Sequence, residues 1–120
     1  MITETEIPPK LKPNRKENTD FFLYSSRAEF SLAEPRKLMR RLIKHFRHKV
    51  PAEELTGFSL IHFAEGEATL QAESDKIICR CFSNDQSQLQ EIEDTLERHI
   101  SRMGDVVAQS NGWRRVEVRS

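Results

Sequence analysis

Between Gly57 and Phe82 the hydrophobic pattern follows a period of two, and this alternation constrains the fold more than any other feature of the chain. Alternate side chains of a strand lie on opposite faces of a sheet, so such a pattern is typical of half-buried strands. We expect three strands at residues 58–63, 68–72 and 76–82. Because the acidic turns between them are short, the strands are predicted to form an antiparallel meander.

The segments on either side of the meander predict a further strand and two helices. In residues 21–32, Ala28 and Phe30 alternate with Arg27 and Glu29, which indicates a half-buried strand. A helix is predicted over residues 34–49, with Pro35 in its first turn, where the missing N–H costs nothing. Residues 83–86 resemble a capping box, with a Gln three residues after a Ser, and a second helix follows.

The order strand, helix, three strands, helix predicts an α+β fold. We expect an antiparallel four-stranded sheet in the order β-α-β-β-β-α, with two amphipathic helices packed on one face. Three prolines and few apolar residues predict a disordered tail over residues 1–20. A single α+β domain is expected over residues 21–104, followed by a C-terminal extension over residues 105–120 with a short strand near residues 113–118.

Length and composition exclude several classes of protein. The chain has 120 residues, enough for one domain. It contains no run of about 20 apolar residues and no basic and apolar start of the secretory type, so we expect a cytoplasmic protein without a membrane span. Its two cysteines, Cys79 and Cys81, exclude a disulfide framework. Both are predicted to be reduced packing residues; the alternative is a nucleophile with His62 as its base.

The net charge of zero conceals three blocks of different sign. Residues 1–49 carry a balance of +6, residues 50–97 of −9 and residues 98–120 of +3. The first predicted helix has seven Lys or Arg over residues 36–49 and no acid. It therefore offers a surface for an anionic small molecule or an acidic protein partner. The candidate ligand-binding residues of this surface are Arg36, Lys37, Arg40, Lys44, Arg47 and Lys49.

Two other interpretations of this basic surface remain open. A solvated face that is partly paired with Glu53 and Glu54 would need no ligand. Docking to nucleic acid would use the same cations to neutralise phosphates. The zero net charge and the acidic middle block make docking to nucleic acid less favoured than docking to an acidic protein.

Three histidines are candidates for a transition-metal site. His45 and His48 lie at i and i+3 on the first predicted helix, and His99 flanks the apolar stripe of the second. Imidazoles in such a set suit iron, zinc or a haem iron. The alternative is that each histidine is structural and bonds a backbone carbonyl or a carboxylate. No arrangement of nucleophile, base and acid typical of an enzyme is found.

Several of these residues resemble a known bacterial family. The sequence His45-Phe46-Arg47-His48-Lys49, the spacing of Phe63, Gly66 and residues 68–70, and the second helix with His99 are similar to domain of unknown function family 2218, over about residues 26–103. The resemblance implies a small α+β domain similar to phosphohexomutase C-terminal and TATA-binding-protein-like units. It also implies an iron or siderophore context and carries no established activity. We therefore expect an accessory or ligand-binding module.

Overall fold

The computed structural model describes residues 22–103, 109–110 and 112–117. This part of the chain contains two helices, α1 (Pro35–Phe46) and α2 (Gln86–Met103). Its strands are β1 (Tyr24–Ser31), β2 (Ala52–Leu55), β3 (Phe58–Phe63), β4 (Gly66–Ala72), β5 (Lys76–Ser83), β6 (Gln109–Ser110) and β7 (Arg114–Glu117). The disordered tail predicted over residues 1–20 lies outside the described residues.

All described strands join one antiparallel sheet in the order β2-β3-β4-β5-β1, and both β6 and β7 pair with the free edge of β1. β6 lies beside Phe30 and Ser31, whereas β7 lies beside residues 24–27, so the two short strands share one position. The sheet thus has six strand positions. The predicted α+β class and antiparallel sheet are confirmed, but the predicted count of four strands is wrong.

The additional strands carry little sequence signal. β2 follows Pro51 and consists of Ala52, two glutamates and Leu55, three of which are exposed, so it shows no alternation of apolar and polar residues. β6 has only two residues and β7 only four. Such short edge strands are held by pairing with a preformed neighbour, and hydrophobic periodicity reveals neither β2 nor β6. β7 lies within the segment near residues 113–118 where a short strand is predicted.

The two helices cover one face of the sheet. Cross-strand neighbours on this face include Phe30 with Ile77, Ala28 with Cys79, and Cys79 with Leu70. They form one buried cluster with the apolar sides of the helices, namely Leu38, Leu42, Ile43 and Phe46 of α1 and Leu89, Ile92, Leu96 and Ile100 of α2. Alternating burial along β1, β3 and β4 thus fixes which face receives the helices.

The opposite face of the sheet, which we call the open face, carries the other set of alternating side chains. Arg80 and Arg27 are cross-strand partners there, and Arg27 pairs in turn with Arg114. The β5 strand is apolar on both faces, because Ile78 and Phe82 of the open face are also buried. The ring of Phe22 packs against that of Phe82 with a centroid separation of 6.2 Å.

Local chemistry sets the helix boundaries. Pro35 occupies the first turn of α1, as predicted, and Glu34 precedes it without a side-chain cap. The capping box predicted from Ser83 is wrong in detail, because Asp85 caps α2: its carboxylate accepts a hydrogen bond from the Gln88 N–H at 3.0 Å. Ser83 is buried and donates instead to the Glu65 carbonyl at 2.7 Å.

Gly66 stands where the backbones of β4 and β5 approach closely. A Cβ at this position would lie 2.0 Å from the carbonyl oxygen of Phe82, whereas a Cβ at Gly57 would meet nothing within 4 Å. We expect Gly66→Ala to lower the free energy of unfolding by about 3 kcal/mol or more, through displacement of backbone. Gly57→Ala should cost about 1–2 kcal/mol through its positive φ alone. Urea denaturation of both variants measures the difference, and equal losses would contradict this account.

Candidate functional site

The predicted ligand-binding residues of α1 and its C-terminal flank are all exposed. Two of them have carboxylate neighbours: Lys37 lies 3.6 Å from Glu34, and Arg47 lies 4.0 Å from Glu54. Arg47 also donates from Nε to the Ala52 carbonyl at 3.2 Å. The other four, Arg36, Arg40, Lys44 and Lys49, form no ion pair with the described residues. The surface is thus only partly neutralised.

The C-terminal ends of α1 and α2 meet at a pair of histidines. The ring centroids of His45 and His99 are 4.9 Å apart, and the Phe46 ring lies 4.8 Å from that of His99. His99 bonds the Thr95 carbonyl through Nδ1 at 2.7 Å, and because a carbonyl only accepts, Nδ1 carries the hydrogen. Nε2 of His45 is buried and has no hydrogen-bond partner among the residues that the structure describes.

The surroundings of His45 are electropositive. Burial lowers the pKa of His45, and the nearby basic side chains of His99, Lys49, His48 and Arg102 lower it further, because they oppose protonation of its ring. We call these five residues the cationic junction. They come from the ends of two helices and from the turn after α1, so no local sequence pattern brings them together.

The structure brings two of the three predicted metal ligands together. His45 contacts His99, but His48 has an exposed side chain. Across residues 22–103 and the described C-terminal strands, no group of three or more His, Cys, Asp or Glu side chains is arranged to hold a metal ion. The geometry therefore shows a histidine pair, with one ring bonded to a carbonyl as the structural alternative expects.

The cysteines lie on the helix-covered face of the sheet, opposite the face that carries His62. Cys79 and Cys81 are free and buried, as predicted, and burial raises the pKa of both thiols. His62 pairs across the strands with Glu67, which pairs with Phe82, and these positions belong to the open face. The sheet separates His62 from the thiols. The alternative in which His62 activates a cysteine is therefore wrong.

On the open face, His62 lies between two carboxylates, a feature that sequence reasoning missed. Its Nδ1 is 3.0 Å from Glu67 Oε2, and its Nε2 is 3.0 Å from Glu53 Oε2. Hydrogen bonds that the protonated ring donates to Glu67 and to Glu53 outweigh the opposing effect of burial and raise the pKa of His62. Glu53 lies on β2, which shows no alternation of apolar and polar residues. The contact between Glu53 and His62 was therefore not predictable from the sequence pattern.

A second missed contact joins α2 to β7. Glu93 is buried, and Arg115 donates two hydrogen bonds to it, from Nε at 2.9 Å and from Nη2 at 2.6 Å. Nearby, Trp113 donates from Nε1 to Glu97 at 2.8 Å, and its ring packs edge-on against Phe30. A bidentate guanidinium is the usual partner of a buried carboxylate. These contacts fasten the C-terminal strand to the domain.

By its architecture the protein is a two-layer α+β sandwich. Its sheet is all-antiparallel, both helices cover one face, and the cationic junction lies between them. The model of a bacterial family, described as an uncharacterized protein conserved in bacteria (DUF2218), matches residues 27–114. The chain belongs to this family. No curated protein matches the chain.

A solved structure shares the fold. It is the NMR structure of PA4090 from Pseudomonas aeruginosa, which is 22% identical in sequence and superposes with a TM-score of 0.66. The match covers 77% of this chain and 96% of that one. At this identity the likeness shows the fold alone. Neither α1 nor α2 has the length and hydropathy that a bilayer crossing requires, and the described residues contain no other helix.

The raised pKa of His62 makes the stability of the fold dependent on pH. The protonated ring is stabilised by both carboxylates, so its contribution is full below the pKa of an unfolded histidine and is lost as pH rises through the raised value. We expect His62→Gln to destabilise the protein at pH 6 and to do so less at pH 9, as measured by urea unfolding. Gln90→Ala, an exposed substitution that removes no ionisable group, should show no such trend. A His62→Gln effect that is constant with pH would contradict the prediction.

Removal of Arg115 leaves the Glu93 carboxylate buried without its partner. Because the Arg115 side chain is 42% exposed, water screens part of the interaction, and we expect Arg115→Ala to cost about 2–3 kcal/mol of unfolding free energy. Glu93→Gln in the same background should recover part of the loss, since a neutral amide is less costly to bury. The neighbouring Arg114→Ala, at an exposed position, should stay within about 0.5 kcal/mol of the parent.

Proposed function

We propose that this protein is a small ligand-binding accessory module of the bacterial cytoplasm, and that it binds an anion at the cationic junction and along the basic face of α1. The carrying observation is the concentration of basic side chains around His45, whose buried Nε2 has no hydrogen-bond partner within the described part of the chain. Four of the six basic residues of α1 and its flank also make no ion pair with the described residues. An anionic group at this place would satisfy the histidine and neutralise the cations.

The chemistry of the site favours oxygen ligands. Guanidinium and ammonium groups are hydrogen-bond donors only, and a neutral imidazole donates from one of its nitrogens. The site therefore suits carboxylate, phosphate or catecholate oxygens, which accept hydrogen bonds. Arg40 and Lys44 extend the positive surface along α1 beyond the junction, which favours a ligand with several anionic groups over a single small ion. A ferric siderophore complex is a ligand of this kind, and the iron or siderophore context implied by the family resemblance makes it our first candidate.

Docking of an acidic protein surface is the second candidate, since it would use the same exposed side chains. Arg36, Arg40 and Lys44 lie along one exposed side of α1. A protein partner would need this whole side, whereas a small anion needs mainly the junction. The two candidates therefore differ in whether the N-terminal half of α1 takes part in binding.

Titration of the full chain with a ferric tris-catecholate complex, its iron-free form and inorganic phosphate tests the proposal. Two-dimensional NMR should show shifts concentrated at the cationic junction, with the ferric complex the tightest of the three probes. Lys49→Gln/Arg102→Gln should raise the Kd about fivefold, because each partly exposed charge contributes about 0.5 kcal/mol. Arg80→Gln/Arg114→Gln removes the same charge from the open face and should leave the Kd unchanged.

Three outcomes would overturn the proposal: no probe shifts the junction, the two double variants weaken binding equally, or the junction variant binds like the parent. Titration with nonspecific single-stranded DNA and RNA over a range of salt concentrations covers the nucleic-acid alternative. We expect no measurable binding. A steep loss of affinity with salt would instead indicate phosphate contacts and would replace the small-anion proposal.

A further inference from the structure

The open face carries exposed apolar side chains at its two edges. The two most exposed large apolar side chains of the described residues are Leu55, at 42%, and Val116, at 58%, and both lie on this face. They stand at its opposite edges, on β2 and β7. Between them lie the half-buried Phe58 and Leu60 and the buried Ile78. An antiparallel sheet with one solvated face ordinarily keeps that face polar.

The charged side chains of the open face are distributed unevenly between its β5–β7 half and its β2–β4 half. Arg80, Arg27 and Arg114 occupy directly paired positions on β5, β1 and β7, and like charges in such positions repel one another. Arg27 has a carboxylate partner, Glu29, at 2.8 Å. The other half, on β2 to β4, holds no arginine on this face and carries Glu53 and Glu67 around His62.

We propose that the open face is the interface of a homodimer, formed by a second copy of this chain packed face to face. A two-fold axis along the strands, between β4 and β5, would place the β2–β4 half of each copy over the β5–β7 half of the other. In the register of the sheet, Glu53, Leu60, Thr69, Arg80, Arg27 and Arg114 form one cross-strand row. The axis reverses this row, so Glu53 would face the partner's Arg114.

Self-complementarity is the reason to choose a second copy as the occupant. An isologous interface uses the same patch on both subunits, so it requires each feature and its complement on one surface. The open face meets this requirement in its charges: Glu53 and Glu67 lie on one half, and on the other half the arginines exceed the one carboxylate, Glu29, which is paired with Arg27. A polyanion would meet Glu53 and Glu67, and a purely acidic protein would find the same obstacle.

The dimensions of the face set the expected affinity. Six strand positions about 4.8 Å apart span roughly 25 Å, which is the breadth of a small specific interface. Packed sheets of this kind align their strands within about 30°. We expect a dimer of modest affinity, populated at tens of micromolar protein and above, whose cationic junctions lie on the two outer sides.

Charge reversal at the Glu53 and Arg114 positions tests the proposal with the full chain. Analytical ultracentrifugation from 5 to 500 μM should show a concentration-dependent dimer for the parent. Glu53→Arg and Arg114→Glu should each weaken self-association at least tenfold. An equimolar mixture of the two should dimerise again, because both cross-subunit contacts then join opposite charges. Circular dichroism and thermal unfolding confirm that each variant is folded.

The matched controls are Glu91→Arg and Arg98→Glu, which reverse charges on the exposed side of α2 and should leave self-association unchanged. Val116→Lys is a second interface variant that leaves the His62 contacts intact, and it should also produce a monomer. A parent that stays monomeric up to 500 μM would overturn the proposal. So would a dimer that is insensitive to Glu53→Arg, Arg114→Glu and Val116→Lys, or one that the α2 variants disrupt.

Discussion

The ladder between β1 and β5 organises the rest of the domain. It pairs all eight residues of each strand, from Tyr24 with Ser83 to Ser31 with Lys76. Because the two strands are antiparallel, α1 leaves from one end of the sheet and α2 from the other. β4 then pairs with the remaining edge of β5, while β6 and β7 pair with the remaining edge of β1. The positions of both helices and both sheet edges therefore follow from this one pairing.

Sequence patterns predict those parts of the fold that their own side chains define. The strand at β1, the meander of β3 to β5 and both helices carry clear periodicity, so their existence and class were predictable. β2 was not predictable, because its stability comes from the neighbour with which it pairs, and β7 lies within the short strand predicted near residues 113–118, although its pairing with β1 was not predicted. The cap of α2 was misplaced by two residues, since Ser83 and Asp85 have similar capping propensity and only the fold buries Ser83.

The site shows the same division between local and tertiary information. Helical projection predicted that the cations of α1 face solvent and that His45 lies near the core. It did not reveal which residues of α2 would approach His45, because that depends on how two helices lie on a common sheet. Glu93 lies on a helix rich in exposed charges, yet it is buried and accepts hydrogen bonds from Arg115, which comes from a strand with only four residues. Contacts between distant segments, rather than residue types, decide these roles.

The position of β1 also has a consequence for the order in which the chain matures. β1 is made early, but every strand that pairs with it, β5, β6 and β7, follows much later in the sequence. During synthesis from the N-terminus, β1 and α1 therefore emerge with their apolar surfaces uncovered, while the hairpins β2–β3 and β3–β4 close by local pairing. Such a topology delays completion of the core until translation has passed β5. The nascent chain depends during that interval on whatever shields exposed apolar segments at the ribosome.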